Sequence, residues 1–138
     1  MDKKELIREA FLAREKSYSP YSNFCVGAAL LASNGTVYRG CNIENSSYTP
    51  TNCAERTAFF KAVSEGVTKF EAIVIVGGKK GEEVRYCAPC GVCRQVMMEF
   101  CDPNKFNIIL AKSEDEYKEF TLEQMLPLGF GPAELLDL

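Results

Sequence analysis

Phe24-Cys25-Val26-Gly27-Ala28-Ala29-Leu30-Leu31-Ala32-Ser33-Asn34-Gly35-Thr36-Val37-Tyr38-Arg39-Gly40-Cys41 holds two apolar, partly β-branched runs with Asn34-Gly35 between them. Asn-Gly in that setting is the strongest short hairpin signal. Two adjacent antiparallel strands, residues 24–32 and 36–41, are therefore expected. Upstream, residues 2–17 place Leu6, Ile7, Ala10, Phe11 and Ala13 at helical spacing among Lys and Glu. That helix is expected to stop at Tyr18-Ser19-Pro20-Tyr21-Ser22-Asn23, because a proline disfavours helical geometry in the residue before it.

Downstream, residues 42–50 are loop-like, dense in Asn, Ser and Glu and closed by Pro50. Thr51 or Asn52 is expected to cap a helix that runs to Glu65, with Gly66 as its stop. Ala72-Ile73-Val74-Ile75-Val76 is nearly all apolar, the mark of a strand covered on both faces. A polar connector over residues 77–85 leads to a helix over 91–100 and a strand over 106–110. A short strand over 117–120 and a helix starting over 121–126 complete the chain, and the tail from Gly129 onward carries no clear pattern. Strands alternating with helices after the hairpin predict an α/β fold, a three-layer α-β-α sandwich around a mixed sheet of five strands.

The chain of 138 residues is read as a single domain spanning 1–138, long enough to bury a real core without disulfide staples. A net charge of −3 and a sequence pI of about 5.1 argue against long nucleic acids, which need a clustered basic face. No apolar run is long enough to span a bilayer, and the start lacks the apolar block of a signal peptide. A cytoplasmic location follows as the expectation. Seven cysteines there point to metal or thiol chemistry rather than a disulfide framework. The sequence contains no histidine, so a metal site must be built from cysteine and carboxylate.

Cys53-Ala54-Glu55-Arg56 and Pro89-Cys90-Gly91-Val92-Cys93 carry that chemistry. Cys90 and Cys93 have the spacing of a zinc knuckle, and Cys53 stands at the start of another expected helix. Helix N-termini favour thiolates. Three protein ligands leave the fourth position of a tetrahedral zinc open, which is the catalytic pattern. Glu55 is then placed to move protons. On an ideal helix Cys53 and Glu55 point nearly opposite ways, so both can serve one site only if the helix begins close to residue 52. Zinc with three thiolates carries net negative charge, and Arg56 is assigned to hydrogen-bond the ligand sulfurs and offset it. The competing reading is a structural four-cysteine zinc closed by Cys87, although three cysteines at three-residue steps cannot all ligate comfortably. Cys25, Cys41 and Cys101 lie in or beside apolar runs and read as small core residues.

Cys53-Ala54-Glu55 followed by Pro89-Cys90-Gly91-Val92-Cys93 resembles the signature of the zinc-dependent nucleoside deaminases, with cysteine where their pattern has histidine. Tyr21-Ser22-Asn23-Phe24, Val26-Gly27-Ala28-Ala29, Gly40-Cys41-Asn42-Ile43-Glu44-Asn45 and Cys93-Arg94-Gln95 extend the likeness to the small homotetrameric cytidine deaminases. The resemblance implies zinc-assisted attack of water on C4 of cytosine, with Glu55 moving protons to N3 and to the departing amine. Cytidine or 2′-deoxycytidine would become uridine or 2′-deoxyuridine, with release of ammonia, in pyrimidine salvage. It also implies that Phe24 packs against the base, that Asn42 and Glu44 hold the ribose hydroxyl, and that backbone near Ala54 reads the pyrimidine edge. Ser46, Tyr48 and Phe130 would be supplied by neighbouring subunits of a homotetramer with shared sites. Read without the resemblance, Phe24 is a core residue and Asn42 and Glu44 are loop-formers. A deaminase of another cytosine-containing small molecule, such as blasticidin S, is the nearest enzymatic rival, and Asn42-Ile43-Glu44-Asn45 favours the nucleoside.

Overall fold

The hairpin forms where the sequence places it. In the computed structural model, which describes residues 1–136, β1 (Phe24–Ala32) and β2 (Val37–Cys41) pair antiparallel, with Leu31 opposite Val37 and Gly27 opposite Cys41. Gly35 turns the chain between them at φ +91°, a conformation that costs glycine little. The remaining strands are β3 (Phe70–Lys79), β4 (Asn107–Ala111) and β5 (Tyr117–Thr121). They complete a five-stranded sheet of order β2-β1-β3-β4-β5. Only β3 and β4 run parallel, and the other neighbours are antiparallel. The fold is thus the α/β three-layer arrangement on a mixed sheet that the pattern of elements predicts.

Strand geometry sends alternate residues to opposite faces. Val26, Ala28, Leu30 and Ala32 of β1 join Ile73 and Ile75 of β3 in one core cluster, while Ala29, Leu31, Val74 and Val76 join a second. Helix α1 (Lys3–Arg14) closes the second cluster with Leu6, Ile7 and Ala10. Helices α2 (Ala54–Ser64) and α3 (Gly91–Phe100) close the first with Ala58, Phe59, Ala62 and Met97. The Phe59 ring of α2 lies edge-on to Phe70 at 5.0 Å and stacks with Phe100 of α3 at 6.3 Å. These rings seat α2 and α3 side by side. Short helices α4 (Leu122–Met125), opened by a Thr121/Gln124 capping box, and α5 (Pro132–Leu136) follow. Among the described residues no helix is long and apolar enough to cross a membrane.

Two glycines bring helix backbone unusually close to the sheet. A Cβ at Gly40 of β2 would stand 2.2 Å from the Ala54 carbonyl oxygen and 2.6 Å from the Ala58 nitrogen, both on α2. On the opposite face a Cβ at Gly27 of β1 would stand 2.2 Å from the Ala10 carbonyl oxygen of α1.

Three of the boundaries that differ from the sequence expectation have a clear physical cause. Helix α1 ends at Arg14 rather than residue 17, since the N–H groups of Glu15, Lys16 and Ser17 bond three residues back in tighter turns. Tyr18 N–H then turns to the Asn42 carbonyl at 3.0 Å. Strand β3 runs through Gly77 and Gly78, expected in the connector, because these residues continue the ladder opposite Val26 and Cys25. Neither Thr51 nor Asn52 caps α2. Asn52 is extended, exchanging two 2.9 Å backbone bonds with Ile43, and the N-cap falls on Cys53.

Candidate active site

Cys53 and Cys90 occupy the same structural position on different helices. Cys53 is the N-cap of α2 and Cys90 the N-cap of α3, both with extended backbone. Most N-caps use Ser, Thr, Asp or Asn to satisfy the first free N–H groups; Cys53 makes no side-chain cap bond. The Cys90 thiol accepts from the Cys93 N–H at 3.5 Å, and Cys93 lies buried one turn in. Since β3 and the aromatic cluster hold α2 against α3, both helix starts open at one place. There the Cys53 and Cys90 sulfurs stand 3.7 Å apart, and the sulfurs of Cys53, Cys90 and Cys93 all lie within 4.8 Å of one another.

That spacing fits zinc. Thiolates bound tetrahedrally at about 2.3 Å from the ion have sulfurs roughly 3.8 Å apart. Two helix N-termini add partial positive charge where the thiolates gather. Cys87 is not one of the three clustered sulfurs, and burial pushes its thiol up to about 11. The three-sulfur set, with Cys53, Cys90 and Cys93 as the residues that would hold zinc, is the arrangement present.

The N-cap position of Cys53 also removes the angular conflict with Glu55. Cys53 lies off the helical path at φ −76°, ψ 156°, so its direction is set by extended backbone rather than by the helix wheel. Glu55 is only 4% exposed. Burial raises its carboxyl to about 7, and the nearby Cys53 charge pushes the same way. Cys53 moves oppositely, to about 5, because Cys93 and Arg56 hydrogen-bond its sulfur in its charged form. The hydrogen bond to Cys53, with burial, pushes the partner Cys93 thiol the other way, upward. Arg56 Nη2 donates to the Cys53 sulfur at 3.3 Å, and its Nε is buried without a hydrogen-bond partner. A buried N–H left without a partner is costly on its own, and the Cys53 sulfur is the negative charge that the half-buried guanidinium faces.

Glu55, Cys53, Cys90, Ala54, Asn42 and Glu44 line one cavity of about 220 Å³. Val26, Thr51, Asn52, Cys87 and Ala88 share its wall, and the sequence marks the first three only as parts of a strand and a helix start. Gly77 makes room behind it: a Cβ there would meet Cys87 Sγ at 3.0 Å and Phe24 Cε1 at 3.3 Å. Phe24 lies beside this wall, packed on the core and under the Arg85 guanidinium at 5.4 Å. Asn42 is tied into the scaffold, its Oδ1 accepting from Val26 N–H at 2.9 Å and its Nδ2 donating to the Phe24 carbonyl at 2.8 Å. Ser46, Tyr48 and Phe130 do not line the cavity. Tyr48 (77% exposed) borders an adjoining one with Glu44, and Phe130 (59% exposed) sits on the tail, where its carbonyl accepts from Gln95.

Residues 1–109 match the family described as the cytidine and deoxycytidylate deaminase zinc-binding region. The chain is 50% identical over 135 residues to a cytidine deaminase of Sporosarcina psychrophila, covering 98% of this chain and 96% of that one. It is 49% identical over 137 residues to a cytidine deaminase of Halalkalibacterium halodurans, covering 99% and 100%. Among solved structures, the cytidine deaminase of Burkholderia pseudomallei superposes with a TM-score of 0.84 at 45% identity, over 94% of this chain and all of that one.

Proposed function

The chain belongs to the cytidine deaminase family, and from that premise we propose a zinc-dependent hydrolysis of both cytidine and 2′-deoxycytidine. Water and the nucleoside give uridine or 2′-deoxyuridine and ammonia, a step of pyrimidine salvage carried out in the cytoplasm by a single catalytic domain. The observation that carries the proposal is the meeting of two helix starts. They gather three cysteine sulfurs within 4.8 Å of one another, and two of those cysteines, Cys53 and Cys90, line a cavity that Glu55 also lines.

Held by Cys53, Cys90 and Cys93, zinc supplies the Lewis acidity that makes water acidic enough to react near neutral pH. The protein's own groups do the rest. Glu55 takes a proton from the attacking water and passes it to N3 of the ring, then carries the remaining proton of the new C4 hydroxyl to the amine, which departs as ammonia. Its burial keeps bulk water from competing for those protons. Arg56 steadies the negative charge on Cys53. Asn42 and Glu44 hold the ribose 3′-hydroxyl, backbone near Ala54 reads the pyrimidine edge, and Phe24 packs against the base. Ser46, Tyr48 and Phe130 are exposed and lie off the cavity, which supports a homotetramer in which they complete a neighbour's site.

The purified protein should convert cytidine and 2′-deoxycytidine, followed by loss of aminopyrimidine absorbance, and should leave free cytosine untouched. Chelation should abolish turnover and added zinc restore it. Turnover of cytosine at the nucleoside's rate, or full activity in metal-free protein, would reject the proposal.

A further inference from the structure

The short segment between α1 and β1 does more than connect them. Glu44 reaches across to it and accepts from the Tyr21 N–H at 2.9 Å and the Ser22 N–H at 3.1 Å, both through Oε1. Its other oxygen, Oε2, accepts from the Ser22 hydroxyl. The same hydroxyl oxygen accepts from the Phe24 N–H at 3.0 Å. Asn23 permits this at φ 61°, a left-handed turn that Asn tolerates better than most residues. It folds Phe24 back over the Ser22 side chain.

Proton accounting fixes the direction of every bond in this knot. A backbone N–H can only donate, so the Ser22 oxygen accepts from Phe24, and its single proton goes to Glu44. Oε1 then has both lone pairs engaged, and Oε2 keeps one. We propose that Ser22 is the positioning residue for sugar recognition, fixing Glu44 so that Oε2 alone is left to accept a hydroxyl proton from the nucleoside. This rests on the reading of Glu44 as a contact to the sugar. The three donors also hold the Glu44 carboxyl below its ordinary range, the Ser22 hydroxyl most of all, so it faces the sugar as an acceptor.

The test compares wild type, Ser22→Ala, Ser22→Thr and Glu44→Ala with cytidine and with 3′-deoxycytidine, all as zinc-loaded protein. Ser22→Ala should raise KM for cytidine about tenfold, the scale of a hydrogen bond to a charged group, while kcat stays within about twofold. With 3′-deoxycytidine, which has no hydroxyl for Oε2, wild type and Ser22→Ala should share one KM. Ser22→Thr, which keeps the hydroxyl, should restore the cytidine value. An equal rise in KM for both substrates would show that Ser22 acts only through the fold and would overturn the inference. A rise in Glu44→Ala with none in Ser22→Ala would also overturn it, leaving Glu44 in place. An unchanged cytidine KM in Glu44→Ala would remove the underlying reading of Glu44.

Discussion

Glu55 is the charged side chain that the described fold buries most completely, and burying a carboxyl outside an ion pair costs free energy that a fold retains where function needs it. Glu55→Gln keeps the volume and removes the proton carrier. The variant should bind zinc at the wild-type ratio, measured by metal analysis, while kcat falls by about 10²–10⁴. Substantial turnover would take Glu55 out of its role. Cys87 tests the other boundary of the site. Its thiol lines the cavity but stands apart from the clustered sulfurs, so Cys87→Ser should leave zinc content and kcat nearly as they were. Loss of the metal would mean that Cys87 is a ligand and the site a closed, structural one.

Among the elements, Gly27 and Gly40 form a controlled pair. Each lets a helix backbone approach the sheet to the same distance, 2.2 Å from where a Cβ would stand, yet Gly27 seats α1 and Gly40 seats α2. Alanine at either position should destabilise the protein by about 1–3 kcal/mol, the cost of overpacking a tight contact. Only Gly40→Ala displaces Ala54, which lies between Cys53 and Glu55. Its zinc affinity should fall by about tenfold or more, with Gly27→Ala close to wild type in the same competition assay. Equal affinities in the two variants would detach Gly40 from the site. The sequence announces this architecture unevenly. Asn34-Gly35 and the uninterrupted run Ala72-Ile73-Val74-Ile75-Val76 identify their strands because turn chemistry and two-sided burial leave local marks. The extension of β3 through Gly77 and Gly78 leaves none, since those residues become strand only by pairing with Cys25 and Val26. The start of α2 is obscured for a similar reason. Asn52 looks like a cap but is held extended by Ile43 from a distant loop, and the cap falls to a cysteine, an uncommon choice. The spacing Cys90-x2-Cys93 suggested a metal pair, but that Cys53 meets it depends on tertiary packing alone.

For the whole molecule, the exposure of Tyr48 and Phe130 outside the cavity matters most. If a neighbouring chain's Phe130 closes the pocket, Phe130→Ala should raise KM for cytidine about 5–150-fold, the equivalent of roughly 1–3 kcal/mol for a lost apolar contact. The thermal midpoint should stay unchanged, because the ring is exposed within its own chain and Gln95 bonds only the Phe130 backbone. Unaltered kinetics would sink that assignment.

The two helix starts that supply the sulfurs are separated in the chain by all of β3. Neither helix can hold the ion alone, so a complete thiolate set exists only after both have docked on the sheet. A ligand that binds the native state and not the unfolded chain adds RT ln(1 + [L]/Kd) to stability. The resistance of this protein to heat is therefore set partly by its surroundings: each tenfold rise in free zinc above the dissociation constant should add about 1.4 kcal/mol. A cell starved of zinc would lose not only the reaction but some of the enzyme's persistence as a folded molecule.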